Sequence, residues 1–190
     1  MAHTHFDIRM LTPVDADLFA AHLAIADAES GQNGEPHFHP YSADTPFDAV
    51  AHGEKERKRW QIPITTVGWR RAWALFVDGG MVGHICVDGA PLESALHRVS
   101  FGMGIMHGFR RQGGGRLLLE TIIQWAQAQP SIDWIDLGVF VENGGAQALY
   151  LSTGFEERGR TLDCFRVDGH RIDDIQMVYW VGPEGQKPQW

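Results

Sequence analysis

Cysteine is scarce in this sequence: Cys86 and Cys164 are the only two, and neither belongs to a C-x-x-C pair. A disulfide framework needs more cysteines than this, and a zinc site needs ligands at closer spacing. We therefore expect two reduced, buried thiols and no bound metal.

Long hydrophobic runs are also missing. No stretch approaches the roughly 18 apolar residues that a membrane span requires. The N-terminal segment MAHTHFDIRMLTP lacks the apolar centre of a signal peptide. The composition therefore favours a cytoplasmic protein with no membrane partner.

Positive charge is in deficit, with 16 Lys and Arg residues against 24 Asp and Glu, a formal net charge of -8. Proteins that bind nucleic acid backbones usually show the opposite balance, so we expect no nucleic acid partner. A cationic small molecule would be attracted instead. The 190 residues, 44% of them hydrophobic, match one domain over 1–190.

Periodicity and turn residues predict strands interspersed with helices. The predicted strands are 6–11, 71–78, 81–89, 97–106, 133–141, 157–168 and 171–181, and helices are predicted to start near residues 12, 47, 114 and 144. Leu118, Ile122 and Trp125 form the apolar stripe of the third helix. The charges of 47–60 are interpreted as a solvated face, and 182–190 as a flexible tail.

Three consecutive glycines at 113–115 stand at the start of the predicted third helix, in the segment FRRQGGGRLLLE. A helix start presents unpaired N–H groups and the positive end of the helix dipole, which together bind anions. Glycines let a diphosphate approach the main chain closely. Arg110, Arg111 and Arg116 would add positive charge at the rim.

Two common phosphate loops are excluded by residue type. No Lys-Ser/Thr pair follows Gly114, as a nucleoside triphosphate loop requires, and Leu118 stands where a dinucleotide fingerprint has its third glycine. A different cofactor with a diphosphate fits the glycine run. The alternative, a run that merely turns the chain, stays open on these residues alone.

The segment resembles the pyrophosphate loop of the GNAT superfamily, the acetyl-CoA-dependent N-acyltransferases, which reads R/Q-x-x-G-x-G/A. ENGGAQALYLSTGF, at 142–155, is similar to the family's N-x-x-A-x-x-L-Y-x-x-x-G-F. The residues that match the two patterns are Arg110, Gly113, Gly115, Asn143, Ala146, Leu149, Tyr150, Gly154 and Phe155. The order of predicted elements over 6–181 also fits.

The resemblance implies an α/β fold of the α+β type, with a single GNAT-like domain. Its centre would be a twisted, mixed, mostly antiparallel sheet of about seven strands with helices on both faces. The fourth and fifth strands would be splayed to hold the cofactor.

The resemblance also implies acetyl-CoA (coenzyme A) as co-substrate. Main-chain N–H groups around the glycine run would hold the pyrophosphate, the backbone of Ile105 would pair with the pantetheine, and the Met103 N–H would bind the thioester carbonyl. The residues expected at the cofactor are Met103, Gly104, Ile105, Arg110, Arg111, Gln112, Gly113, Gly114, Gly115, Arg116, Leu117, Asn143 and Ala146.

Acetyl transfer to an amine needs a polarised carbonyl, a neutral nucleophile and a proton for the departing thiolate. Tyr150 is similar to the family's proton donor to the sulfur, and Asn143 to a residue that caps its helix and binds the cofactor arm. Both cysteines lie outside the two motifs, so direct transfer is expected, without a covalent acyl-enzyme.

The group that deprotonates the amine does not follow from the resemblance, because this sequence departs from the family pattern. The family often places a carboxylate on the fourth strand, yet no Asp or Glu occurs between 97 and 106. His84, His97 and Glu142 are alternative bases, and Ser100 would hold a relay water. Since most strand histidines serve packing, all four stay open.

The segment GQNGEPHFHPYSADTP, at 31–46, is predicted to be a long loop that covers the acceptor pocket. His37 and His39 alternate as strand-type metal ligands would, but no third ligand is identifiable, so no metal is expected.

We predict an N-acetyltransferase that moves the acetyl group to a primary amine of a small molecule or peptide. A homodimer through the late strands is consistent with the family. The alternatives are a non-catalytic acyl-CoA sensor or interaction module and a nucleotide-binding protein. The sequence does not predict which amine is the acceptor.

Overall fold

The computed structural model describes residues 4–32, 35–42 and 44–188. The strands are β1 (Asp7–Met10), β2 (Arg70–Val77), β3 (Gly80–Gly89), β4 (Arg98–Ile105), β5 (Trp134–Phe140), β6 (Glu156–Val167) and β7 (His170–Trp180). The α-helices are α1 (Ala16–Asp27), α2 (Ala49–Arg59), α3 (Gly114–Gln127) and α4 (Gly144–Ser152). In the described part of the chain, no helix is long and apolar enough to cross a bilayer.

The seven strands form one sheet in the order β1-β2-β3-β4-β5-β7-β6. Neighbouring strands are antiparallel except β4 and β5, which are parallel. The predicted fold class, a mixed and mostly antiparallel sheet with helices, is confirmed.

The predicted splay lies between β4 and β5. These strands pair only where Arg98, Val99 and Ser100 face Trp134, Ile135 and Asp136. Beyond Ser100, β4 continues to Ile105 without a partner on that side, while its other edge stays paired with β3 along the same length. A wedge-shaped gap therefore opens toward the end of β4, between the residues after Ser100 and those after Asp136.

Two hydrophobic clusters mark the two faces of the sheet. The face that carries α3 buries the predicted stripe at Leu118 and Ile122, while Trp125 packs its ring 5.2 Å from the ring of Trp73. The opposite face carries α1 and α2, where the ring centres of Phe19 and Trp60 are 5.5 Å apart. Helices therefore cover both faces, as expected.

Local boundaries differ from the sequence prediction at both early helices. Thr12 and Pro13 begin a 3₁₀ turn, and α1 starts only at Ala16. The second helix starts at Ala49, because Asp48 is its cap: Asp48 Oδ1 accepts a hydrogen bond from the Ala51 N–H at 2.9 Å.

The turns largely follow their glycines. Asp168 and Gly169, with φ of 48° and 83°, form the predicted turn between β6 and β7. The first hairpin turns at Asp78 and Gly79, with φ of 49° and 79°, so Gly80 already belongs to β3 rather than to the turn.

The interpretation of 47–60 as a solvated face is wrong for Glu56 and Arg59. Glu56 is 0% exposed and accepts a hydrogen bond from Arg70 at 2.9 Å. Arg59 and Arg70 both pair with Asp88, at 2.6 and 2.8 Å. This network fastens α2 to β2 and β3, and only tertiary pairing makes burial of such charges tolerable.

Candidate active site

The open edge of β4 presents main-chain groups to the gap. The Met106 N–H donates to Val82 O at 2.9 Å, so the even-numbered residues of β4 turn their backbone toward β3. The odd-numbered residues turn theirs toward β5, as the Asp133 N–H donating to His97 O at 2.8 Å shows. In the gap this alternation leaves the N–H groups of Met103 and Ile105 facing the opening.

The predicted contacts on β4 divide accordingly. The Met103 and Ile105 N–H groups point into the gap, while Ile105 O accepts a hydrogen bond from Arg110 Nε at 2.7 Å. The backbone of Gly104 turns toward β3 and away from the gap. Gly104 instead makes room for His84, whose Cε1 would lie 2.9 Å from an added Cβ.

The glycine run continues from the end of β4 into α3. Gly113 has φ of +92° and precedes Gly114, the first helical residue. The N–H groups of the first helical turn have no carbonyl partner within the helix. Leu117 is the exception among the predicted donors, because its N–H donates to Gly113 O at 3.1 Å.

Each glycine of the run has its own structural reason. A Cβ on Gly113 would meet no atom within 4 Å, so its side faces open space. A Cβ on Gly114 would lie 2.9 Å from Leu75 Cδ1, and one on Gly115 would lie 2.9 Å from Leu149 Cδ2. The last two glycines therefore also let the start of α3 pack against the sheet and α4.

Two of the arginines around the glycine run, Arg110 and Arg116, already bond to other side chains. Arg110 donates to Glu35 Oε2 at 2.6 Å and also pairs with Glu29, so its guanidinium is neutralised locally. Its expected role as a positive rim group is therefore replaced by a bridge between the end of β4 and the loop after α1. Arg116 donates to Ser152 Oγ at 2.8 Å on the outer side of α3.

Two more residues predicted to bind the cofactor, Arg111 and Gln112, lie on the surface. Arg111 is exposed with φ of 58°, and Gln112 is exposed and donates to Gly108 O at 3.0 Å.

Tyr150 lies on α4 and is 7% exposed. Its ring centre is 5.7 Å from that of Phe101 on β4 and 5.9 Å from that of Phe155. Burial raises the pKa of the Tyr150 phenol well above its ordinary value. The group is therefore protonated at neutral pH, the state that a proton donor needs.

Asn143 caps α4, because its Oδ1 accepts a hydrogen bond from the Ala146 N–H at 3.1 Å. The cap fixes the first turn of the helix that carries Tyr150. Gly154, with φ of +95°, ends the same segment as predicted.

The sequence pattern of the Acetyltransferase (GNAT) family matches residues 37–155, a segment that contains the gap, the glycine run and α4. This chain belongs to the GNAT family. The resemblance seen in the two motifs is thereby confirmed.

Similar proteins include an L-amino acid N-acetyltransferase, AaaT, of Escherichia coli K12, which is 30% identical over 102 residues. That match covers 54% of this chain and 63% of the relative, so the aligned chain spans less than two thirds of the relative's length.

Among solved structures, a GNAT acetyltransferase of Streptococcus pneumoniae has a TM-score of 0.78 at 22% identity, covering 94% of this chain and 100% of that one. The yncA protein of Salmonella typhimurium, solved with acetyl-CoA, has a TM-score of 0.76 at 15% identity, covering 97% and 98%. These structural likenesses show the fold.

His84, a candidate base of this GNAT protein, lies in the core under α1. It is 8% exposed, and its Nδ1 is 3.1 Å from His22 Nε2. Burial, with the nearby His22 and Arg70, lowers the pKa of His84 to about 3. This pKa lies below even the ordinary pKa of a carboxyl group, so His84 is a weaker base than an Asp or Glu side chain.

The other two candidate bases lie at the margins of the gap. His97 is exposed at the closed end of β4, about 20 Å along the strand from Met103 at 3.3 Å per residue. Glu142 is exposed in the turn between β5 and α4. Ser100 is exposed where the strands begin to separate, opposite Asp136.

The loop from 31 to 46 reaches two distant parts of the molecule, as far as it is described. Glu35 pairs with Arg110 just after the C-terminal end of β4, and the ring centre of His37 is 5.8 Å from that of His170 in the β6–β7 hairpin. His39 Nε2 is 2.8 Å from Asp27 O, so His37 and His39 face different partners. Within the described residues no group of three or more possible metal ligands occurs.

The sequence analysis missed one acidic side chain beside the gap, Asp174 on β7. The sequence did contain a relevant pattern. Asp173 and Asp174 are adjacent in a strand, so their side chains must point to opposite faces of the sheet. What the local pattern did not contain was the position of β7 next to β5.

Proposed function

We propose that this protein transfers the acetyl group of acetyl-CoA directly to a primary amine of a small molecule or peptide. The observation that carries the proposal is the set of main-chain N–H groups formed by Met103 and Ile105 on the open edge of β4 and, further along the chain, by the first turn of α3. A thioester, an amide-bearing arm and a diphosphate need such donors in that order.

The protein groups match the chemical steps. The Met103 N–H, directed into the gap, would stabilise the developing oxyanion, a contribution of about 3–4 kcal/mol in other enzymes. Tyr150, protonated because of its burial, would donate a proton to the leaving sulfur.

Direct transfer is favoured over a covalent acyl-enzyme by the state of the thiols. Cys86 is buried on the α1 and α2 face, and burial raises the pKa of its thiol to about 12. Only a thiolate is an effective nucleophile, so Cys86 is unsuited to accept the acetyl group. Cys164 lies on β6, outside both motifs.

The relatives support the cofactor and one class of acceptor. The yncA structure holds acetyl-CoA, and the AaaT relative is named for L-amino acids. An α-amino group of an amino acid is therefore the first acceptor to test, followed by peptides and polyamines.

The test measures cofactor binding and turnover separately. Calorimetry with coenzyme A should give heat, and thiol release from acetyl-CoA should depend on an amine in a mixed panel of amino acids, peptides and polyamines. Heat without amine-dependent thiol would support an acyl-CoA sensor instead. Protection against heat by ATP but not by coenzyme A would support a nucleotide-binding protein.

A further inference from the structure

Asp174 lies beside the gap on the sheet face that carries α1 and α2. Its partner in the ladder is Phe140, the last residue of β5. The carboxylate leans back over Gly138, where an added Cβ would lie 2.8 Å from Asp174 Oδ2. Gly138 belongs to the part of β5 that has left β4, so the carboxylate borders the opening.

Two glycines beside the gap, Gly138 on β5 and Gly102 on β4, lie on the same face of the sheet as Asp174. Leu137 and Val139 point to the α3 side and join the main core, so Gly138 faces the other way. On β4, Gly102 is exposed on that same face, and a Cβ there would meet nothing within 4 Å. At Gly102 and Gly138, therefore, no side chain stands between an approaching acceptor and the gap.

The carboxylate is held in place but not neutralised. Asp174 is 7% exposed, and its Oδ2 accepts a hydrogen bond from Gln176 Nε2 at 2.9 Å. Gln176 Nε2 also lies 3.1 Å from Thr161 Oγ1 on β6, which fixes the amide. Among the described residues, Asp174 Oδ1 receives no hydrogen bond and no Arg, Lys or His forms an ion pair with the carboxylate.

The groups that face Asp174 make it unusual among the acids of the sheet. Cys164 on β6 is its titratable neighbour, β5 offers only Gly138 and Phe140, and β7 adds Gln176. By contrast, Asp136 on the same face is paired with Arg98. A buried carboxylate with one unused oxygen invites a cationic partner from outside the protein.

We propose that Asp174 is the general base of the acetyl transfer and the anionic recognition group for the acceptor ammonium. This inference rests on the proposed function. The ammonium N–H bond breaks and its proton passes to Asp174 Oδ1, directly or through one water, which leaves a neutral amine. The nitrogen lone pair then attacks the thioester carbon, and the C–S bond breaks as the departing thiolate takes the Tyr150 proton. The nitrogen, which still carries one proton more than the amide product, gives that proton to the Tyr150 phenolate, directly or through water. Asp174 releases its proton to solvent, so both side chains return to their starting states.

The direction of the pKa shift agrees with this role. Burial raises the pKa of the Asp174 carboxyl, partly opposed by the hydrogen bond from Gln176. A more basic carboxylate takes a proton from an ammonium more readily.

The test compares Asp174→Asn with Asp173→Asn, its neighbour on the opposite face, in steady-state assays from pH 6 to 9. Asp174→Asn keeps the size of the side chain and an oxygen for Gln176. We expect a fall in kcat/KM of about 10²–10⁴-fold, the usual contribution of a general base. The fall should shrink toward pH 9 and for amines of low pKa, Asp174→Glu should recover part of the activity, and Asp173→Asn should stay within a few-fold of wild type.

Calorimetry with coenzyme A distinguishes a loss of the base from a loss of cofactor binding, because Asp174→Asn should bind the cofactor as the wild type does. Wild-type kcat/KM in Asp174→Asn at every pH, or an equal fall in Asp173→Asn, would overturn the role of Asp174 and leave the transferase intact. A wild-type protein that acetylates no amine would overturn the transferase itself, and the base with it.

Discussion

Replacing Tyr150 by Phe removes one oxygen and leaves the packing of α4 in place. The ring contacts with Phe101 and Phe155, at 5.7 and 5.9 Å, do not involve the hydroxyl. Within the described residues that hydroxyl has no hydrogen-bond partner, so its removal breaks no hydrogen bond of the protein. The substitution therefore separates chemistry from stability.

The expected effects differ greatly in size. An oxygen without a partner contributes little to folding, so the free energy of unfolding should change by less than about 0.5 kcal/mol. For a domain of this size, that corresponds to a Tm shift below about 2 °C. Loss of a general acid should lower kcat by about 10²–10⁴-fold. The KM for acetyl-CoA should hold, because the predicted cofactor contacts are mainly main-chain groups.

The assay is thiol release at saturating amine, with calorimetry and thermal unfolding of both proteins. Because burial raises the pKa of Tyr150, the phenol keeps its proton from pH 6 to 9, and wild-type kcat should show no decline from its ionisation in that range. A Phe variant with wild-type kcat would refute the reasoning. So would a variant that loses activity only because it no longer binds coenzyme A or no longer folds.

Three further predictions concern stability, each measured by urea unfolding. Gly113→Ala should cost about 1 kcal/mol, because φ of +92° disfavours a side chain. Gly114→Ala should cost about 1–3 kcal/mol, because its methyl would lie 2.9 Å from Leu75 Cδ1 of β2; an unchanged free energy of unfolding in Gly114→Ala would contradict the packing argument. Arg70→Ala should cost about 3–5 kcal/mol, because it strands the carboxylate of Glu56, which is 0% exposed; a change below 1 kcal/mol would contradict it. Since the folded pKa of His84 is lowered to about 3, the unfolded chain binds the extra proton first, and stability should fall as pH drops below about 6.5, by up to about 1.4 kcal/mol per unit; a flat profile between pH 7 and 5 would refute the burial of a neutral imidazole.

Much of the fold was predictable because its signals are local. The stripe at Leu118 and Ile122, the turn at Asp168 and Gly169, and the end of α4 at Gly154 each follow from periodicity or from a backbone conformation that glycine adopts easily. The glycine run pointed to an anion site for the same reason, since a helix start needs no distant partner to present its N–H groups.

The charged groups were harder to place, because their burial depends on partners far away in sequence. Glu56 sits in a run of charges and reads as solvated, yet Arg70 reaches it from β2 and removes it from water. Asp174 reads as one polar residue in an alternating strand. Its position beside the gap depends on β7 lying between β5 and β6, an order that adjacent residues do not encode.

The pairing of the strands explains why the gap lies between β4 and β5. An open strand edge inside a domain leaves N–H groups that pair with nothing in the chain, which is unfavourable unless water or a ligand satisfies them. In this sheet the parallel pair β4 and β5 stops after Ser100, while β3 and β7 hold the outer edges of the two diverging strands. The gap is therefore maintained by antiparallel pairing on both sides, and the start of α3 at Gly114 supplies further donors at its mouth. A polar ligand with spaced acceptors completes the hydrogen bonding that the divergence of the strands interrupts.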